Sequence, residues 1–276
     1  MQLIYIGDVI KYYYLLEELK RNNINNLVIA GDLLPKMVSN RYLEQKIFIN
    51  FFLDKYFEKL NKENINCILI LGNDDLESLD NEFDKVCQKY SNIYNIDVRL
   101  ATVEDCVFIG LSKVLDHPFG CKDRVVMENN LKMQMQLSSS IRYKNEEFDM
   151  FTWEKKRKTI ETMESILDNL PKNEDKTKKT IYVFHNPPYG IGLDVCNNGD
   201  KVGSKATTNF FFENQPYMSL HGHIHESYRV TGKWKENIGK TICLQTGQTE
   251  KGSNQMYYAI VDTTENIQDL VLLKNI

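Results

Sequence analysis

The chain has 276 residues, 42% of them hydrophobic and 26% charged, with a formal net charge of -4 and a pI near 5.8. That length and composition suit one soluble globular domain with a full core. The acidic balance argues against a large nucleic-acid footprint, since phosphate-backbone binders carry a basic face, and no apolar run approaches the roughly 18–20 residues a membrane span needs.

The N-terminus lacks the basic segment and long apolar stretch of a secretory leader. Six cysteines, at 67, 87, 106, 121, 196 and 243, form no CxxC pair. A reducing, cytoplasmic setting is therefore expected. Leu3–Ile6 is the first β-prone run and leads into Gly7-Asp8. Leu15, Leu16 and Leu19 mark one face of a helix, and the second run, Leu27–Ala30, leads into Gly31-Asp32. Leu43, Ile47, Phe51, Tyr56 and Leu60 suggest the apolar face of a longer helix. The third run, Cys67–Leu71, leads into Gly72-Asn73-Asp74-Asp75. Runs apolar at nearly every position suit strands covered on both faces, and their alternation with helices predicts a parallel sheet with right-handed crossovers.

Further strands are expected at Val107–Gly110, Ile181–Phe184, Tyr217–Leu220, Ile242–Leu244 and Tyr257–Val261. Gly247–Asn254 reads as a turn between the last two and predicts an antiparallel end. The polar, aperiodic stretch around 113–152 reads as an insertion or cap on a single domain spanning 1–276. Thr152 is expected to cap a helix over Trp153–Leu170, with Ile160, Met163, Ile166 and Leu170 on one face and the Glu154–Lys158 charge run in solvent.

Three successive runs thus end in Gly-Asp, Gly-Asp and Gly-Asn. Ligands of open α/β sheets bind beyond the carboxyl ends of strands, and glycine there allows a sharp turn and close approach. One such end is ordinary turn chemistry; three together are a pattern. His185 follows another strand directly, and His221-Gly222-His223-Ile224-His225 follows the next. Alone, His185 reads equally well as a core histidine. An HxH pair on extended backbone, however, puts both imidazoles on one side, as a shared metal ion requires.

In this order, Gly7-Asp8, Gly31-Asp32, Gly72-Asn73, His185 and Gly222-His223-Ile224-His225 resemble the signature of the calcineurin-like metallophosphoesterases: GDxH, GDxx, GNH(D/E), a lone His, and GHxH. The resemblance implies a four-layer α-β-β-α sandwich of two mixed sheets and a site of two divalent transition-metal ions (manganese, iron, zinc or nickel). Asp32 would bridge them, Asp8 and His225 would hold the first, and Asn73, His185 and His223 the second. It further implies hydrolysis of a phosphomonoester or phosphodiester, a small-molecule or nucleotide-type substrate, by attack of a metal-bound hydroxide.

Two positions depart from the signature. Ile10 stands where GDxH has its histidine, so the first metal loses a ligand and weaker binding there is expected. Asp74 stands where GNH has the histidine that assists the leaving group. Asp74 and Asp75 as a coupled pair, or His117 reaching in from its loop, are the candidates to replace it. His221 reads as support for the strand. The same departures favour an alternative, a weak or inactive binding or scaffold protein with a protein partner; the family fold includes one such member, the retromer scaffold subunit.

Overall fold

The computed structural model describes residues 1–8, 12–36, 40–117, 121, 123–129, 140–144, 147–151, 161–249 and 253–274. The three leading apolar runs are β1 (Gln2–Ile6), β2 (Asn26–Ala30) and β3 (Asn66–Ile70). Between them lie α1 (Tyr12–Asn22) and a long helical segment: α2 (Arg41–Ile47), a π-helical stretch (Phe48–Leu53) and α3 (Asp54–Lys62). α4 (Asp80–Cys87) leads to β4 (Ile93–Asn95), then β5 (Leu100–Val103) and β6 (Cys106–Leu111). Two short pairs follow: β7 (Val114–Leu115) with β8 (Val125–Val126), and β9 (Ser140–Lys144) with β10 (Glu147–Phe151). Next come α5 (Met163–Asp168), β11 (Lys179–Phe184), α6 (Lys205–Asn214), β12 (Met218–His221) and α7 (Ser227–Thr231). The chain closes with β13 (Lys235–Ile238), β14 (Thr241–Gln245), β15 (Gln255–Asp262) and β16 (Ile267–Lys274).

The strands form two six-stranded mixed sheets, β16-β15-β1-β2-β3-β4 and β13-β14-β12-β11-β6-β5. β1 to β4 run parallel in the first, and β6, β11, β12 and β14 in the second. Side chains alternate along a strand, so each apolar run fills two layers. Tyr5, Val28, Ala30, Ile68 and Ile70 meet Phe108, Ile181, Val183, Leu220 and Leu244 between the sheets. Ile4, Ile6, Leu27, Ile29 and Leu69 pack outward with Leu15 and Leu19 of α1 and with Leu53, Phe57 and Phe83. On the opposite side, Val107, Ile109, Tyr182 and Phe184 pack with Met163, Ile166 and Phe211. This is the expected α-β-β-α sandwich.

Three local expectations need correction. β14 and β15 do not pair: they lie in different sheets, and β15 runs antiparallel to β1 and β16. The connection after Gly247 therefore carries the chain from one sheet to the other. Leu43, Ile47 and Phe51 are exposed (47%, 49% and 65%), and the buried face of that helix is Gln45, Ile49, Leu53, Tyr56, Phe57 and Leu60. Apolar spacing alone does not choose which side meets the sheet, and the wider π turn shifts the stripe. Finally, Thr162 is extended (φ -90°, ψ 154°) and its side chain accepts the Ser165 N–H, so α5 begins at Met163. Thr152 and the Glu154–Lys158 run lie outside the described residues, as does Ile10. No helix among the described residues is long and apolar enough to cross a membrane.

Candidate metal centre

The carboxyl ends of β1, β2, β3, β11 and β12 bring Asp8, Asp32, Asn73, His185 and His223 together. Gly31 (φ 104°) and Asp32 (φ 53°) both have positive φ, which turns the chain sharply off β2. The fit is tight. A Cβ on Gly31 would lie 2.3 Å from His185 Nδ1, and one on Gly72 2.3 Å from Asp32 Oδ1. The imidazole of His185 thus slots between strand ends that only glycine leaves open.

His185 is fully buried, and its Nδ1–H donates to the Ala30 carbonyl at 2.7 Å. That bond turns Nε2 toward Asn73 Oδ1 (3.0 Å) and Asp32 Oδ1 (3.4 Å). Asn73 Oδ1 also lies 2.6 Å from His223 Nδ1. Asp8 Oδ1 sits 3.4 Å from His225 Nε2 and accepts the His223 N–H at 3.3 Å. One ligand atom each from Asp8, Asp32 and His185 falls within 4.8 Å of the others. Asp8 Oδ2 is buried with no hydrogen-bond partner among the described residues. A buried carboxylate oxygen in that condition is costly unless a cation meets it, so these residues fit a divalent metal ion.

The local charges show how strongly the groups interact. Burial would raise the Asp32 pKa, but the Lys36 ammonium and His185 outweigh it and hold the carboxyl well below its ordinary range. Burial would lower His185, but Asp32 overcomes it and pushes the imidazole up to about 9. His223 is held well below its ordinary value by burial and by its neighbour His185, which keeps it in the neutral form that ligates metals.

Lys36 and Arg41 were not singled out by the sequence. Lys36 Nζ lies 2.8 Å from Asp32 Oδ2 and 2.9 Å from Asp74 Oδ2, and Arg41 Nη1 lies 3.5 Å from Asp74 Oδ1. The available signal was a cation four residues beyond the Gly31-Asp32 turn. Asp74 and Asp75 do not form a side-by-side pair. Asp74 faces the two cations, whereas Asp75 is fully buried and accepts the backbone N–H groups of Leu33 (3.0 Å), Leu34 (2.8 Å) and Gly72 (2.8 Å). Burial, and next to it the charge of Asp32, push the Asp75 carboxyl up to about 6. His117 bonds the Val202 carbonyl through Nε2 at 2.9 Å and lies near enough to His223 to influence its charge. His221 bonds Phe184 O (3.0 Å) and Ser219 Oγ (2.9 Å), within the second sheet.

The family model for calcineurin-like phosphoesterases matches residues 1–227. No curated protein matches the sequence. One solved crystal structure superposes with a TM-score of 0.63 at 20% identity, covering 100% of this chain and 99% of its own. The protein TT1561 of Thermus thermophilus superposes with a TM-score of 0.60 at 13% identity, covering 98% of this chain and 97% of its own. At those identities the likeness is one of fold.

Proposed function

The chain belongs to the calcineurin-like phosphoesterase family, and from that premise we propose that it is a metal-dependent hydrolase of small phosphomonoesters or phosphodiesters, nucleotide-type compounds among them. The observation that carries this reading is the convergence of Asp8, Asp32 and His185 within 4.8 Å at the strand ends. Asp32 would be the shared ligand, with Asn73, His185 and His223 on one side of it and Asp8 with His225 on the other. Mixed nitrogen and oxygen donors suit manganese, iron, zinc or nickel better than calcium. When bound, a divalent ion there supplies Lewis acidity toward a phosphoryl oxygen and brings the pKa of water toward neutrality.

The chain's own groups orient these parts. The Asp74 N–H donates to Asp32 Oδ1 at 2.9 Å and fixes that carboxylate. Asp75 holds the β2 and β3 loops in register through three backbone N–H groups. His117, beside His223, is the candidate proton donor to the leaving group, with Asp74 and its two cations at the rim.

The test is metal content together with hydrolysis of bis(p-nitrophenyl) phosphate in added manganese. Turnover that requires the metal, and that Asp32→Asn and His185→Ala abolish along with metal retention, is expected. A metal-loaded protein inert across a broad phosphoester panel would overturn the reading. The scaffold alternative draws on Asp74, which is tied to Lys36 and Arg41 where the family signature has histidine. Ile10→His combined with Asp74→His separates the two: activity rises sharply if only these groups limit catalysis and stays at background in a scaffold.

A further inference from the structure

The HxH spacing predicts extended backbone for His223 and His225, but the chain turns sharply there. His223 has φ 75°, and the Ile224 N–H donates back to the Gly222 carbonyl at 2.9 Å. A bond of that span across a residue of that φ is a γ-turn, and the positive-φ form is rare and strained. Histidine carries a Cβ, so it keeps this backbone only where its surroundings impose it.

The turn sets where the ligands point. His223 Nδ1 lies 2.6 Å from Asn73 Oδ1, the His223 N–H donates to Asp8 Oδ1 at 3.3 Å, and His225 Nε2 lies 3.4 Å from the same oxygen. Relaxing His223 to negative φ would swing its Cβ, and the imidazole with it, off Asn73.

Gln245, at the end of β14, braces the turn. It is fully buried, and its Nε2 donates to the Gly222 carbonyl and, at 3.4 Å, to the Ile224 carbonyl. These are the carbonyls one residue before and one residue after His223, and an amide NH₂ has a donor for each. Gln245 is itself anchored: its backbone N–H donates to the Trp234 carbonyl at 2.8 Å, and it stands beside His221 in the sheet. Three residues on, the Gln248 N–H donates to the His225 carbonyl at 2.8 Å. The Gln248 side chain in turn bonds both backbone groups of Tyr257 in β15, at 3.0 and 3.4 Å. The connection between the two sheets thus grips the ligand turn from behind.

Resting on the metal-dependent reading above, we propose that Gln245 is a positioning residue of the site: its amide holds the γ-turn that aims the His223 imidazole at Asn73 and the metal. It acts through the backbone of the turn. Groups that orient metal ligands in this way are typically worth about 10- to 100-fold in metal affinity.

The test is Gln245→Met, which keeps the length and loses both donors, read by calorimetric titration of the metal-free full chain with Mn²⁺ and by a crystal structure of the variant. Tyr258→Phe is the control, since it removes a buried hydrogen bond to Glu18 (2.5 Å) on the outer face of the first sheet. Mn²⁺ affinity is expected to fall about 10- to 100-fold in Gln245→Met and to stay at the wild-type value in Tyr258→Phe, with His223 at negative φ in the first. Wild-type affinity in a folded Gln245→Met, or His223 still at positive φ there, overturns the proposal. Equal losses in the two variants also overturn it, because they trace the effect to stability. Gln245→Asn, whose amide is one carbon short, serves if the Met variant does not fold. A wild-type crystal structure with the Gln245 amide turned away from the two carbonyls would be decisive against the proposal without either variant. No Mn²⁺ bound to the wild type removes the metal-dependent reading itself, and the φ of His223 in the variant still decides whether Gln245 sets the turn.

Discussion

Asp32 combines a left-handed backbone, near-complete burial (2% exposed) and contacts to Lys36, His185 and the Asp74 amide. Its surroundings leave no slack. Gly72→Ala would put a methyl group 2.3 Å from Asp32 Oδ1 and 2.6 Å from His185 Cε1. We expect about 1–3 kcal/mol of destabilisation and loss of metal retention, measured by denaturant unfolding and metal analysis; a variant of wild-type stability and metal content would refute the crowding argument. His221 gives a pH signature. Burial pushes it down to about 3 from its ordinary 6.5. Between those values the unfolded chain binds a proton that the folded chain refuses, so this contribution to stability is complete above the ordinary value and falls as pH drops toward about 3. The urea midpoint should decline toward about pH 4, less steeply in His221→Gln. Equal slopes would assign the decline to other groups.

The helical segment from α2 to α3 shows how an element can be found and only part of its face read correctly: Tyr56 and Leu60 are buried as expected, whereas Leu43, Ile47 and Phe51 are exposed. The apolar residues at 43, 47, 51, 56 and 60 indicate a helix, and a helix is there. Tyr12 of α1 packs edge-on against Phe52 and Tyr56, with centroids 5.3 and 5.1 Å apart, and this aromatic contact sets the orientation. Phe57→Ala, at a fully buried position, should cost about 3–5 kcal/mol. Phe51→Ala, at a position 65% exposed, should stay within about 0.5 kcal/mol. Comparable losses in the two variants, read by chemical denaturation, would contradict the observed face. β16 and α6 escaped notice for a related reason. β16 pairs with β15 along eight residues, yet it interleaves Gln268 and Asp269 with apolar positions, and Lys205–Asn214 has only a faint apolar stripe.

Across the whole molecule, Arg124 ties the segment carrying β8 to the loops behind the site. It is fully buried, and its Nε donates to the Asp75 carbonyl at 3.0 Å and its Nη1 to Ser112 Oγ at 3.2 Å; Nη2 pairs with Asp80. Arg124→Ala would leave Asp80 and Asp97, both partly exposed, without their cation and the Asp75 carbonyl without its donor, at a cost of about 1–3 kcal/mol. A small change in thermal unfolding would show that water replaces the guanidinium. What the sequence alone determined was local and repetitive: apolar runs long enough to be strands, a Gly-Asp or Gly-Asn after three of them, and histidines after two more. Those features rest on backbone geometry within a few residues, and with the family resemblance they identified the sandwich and its sheet edge. What only the tertiary structure decided depends on how distant segments are placed: β14 and β15 parting into different sheets, Asp75 turning inward onto backbone amides, Arg124 reaching Asp80, and Lys36 reaching Asp74. A side chain's partner across the fold is set by packing and by the field of every other charge in the cleft, and no spacing along the chain encodes it.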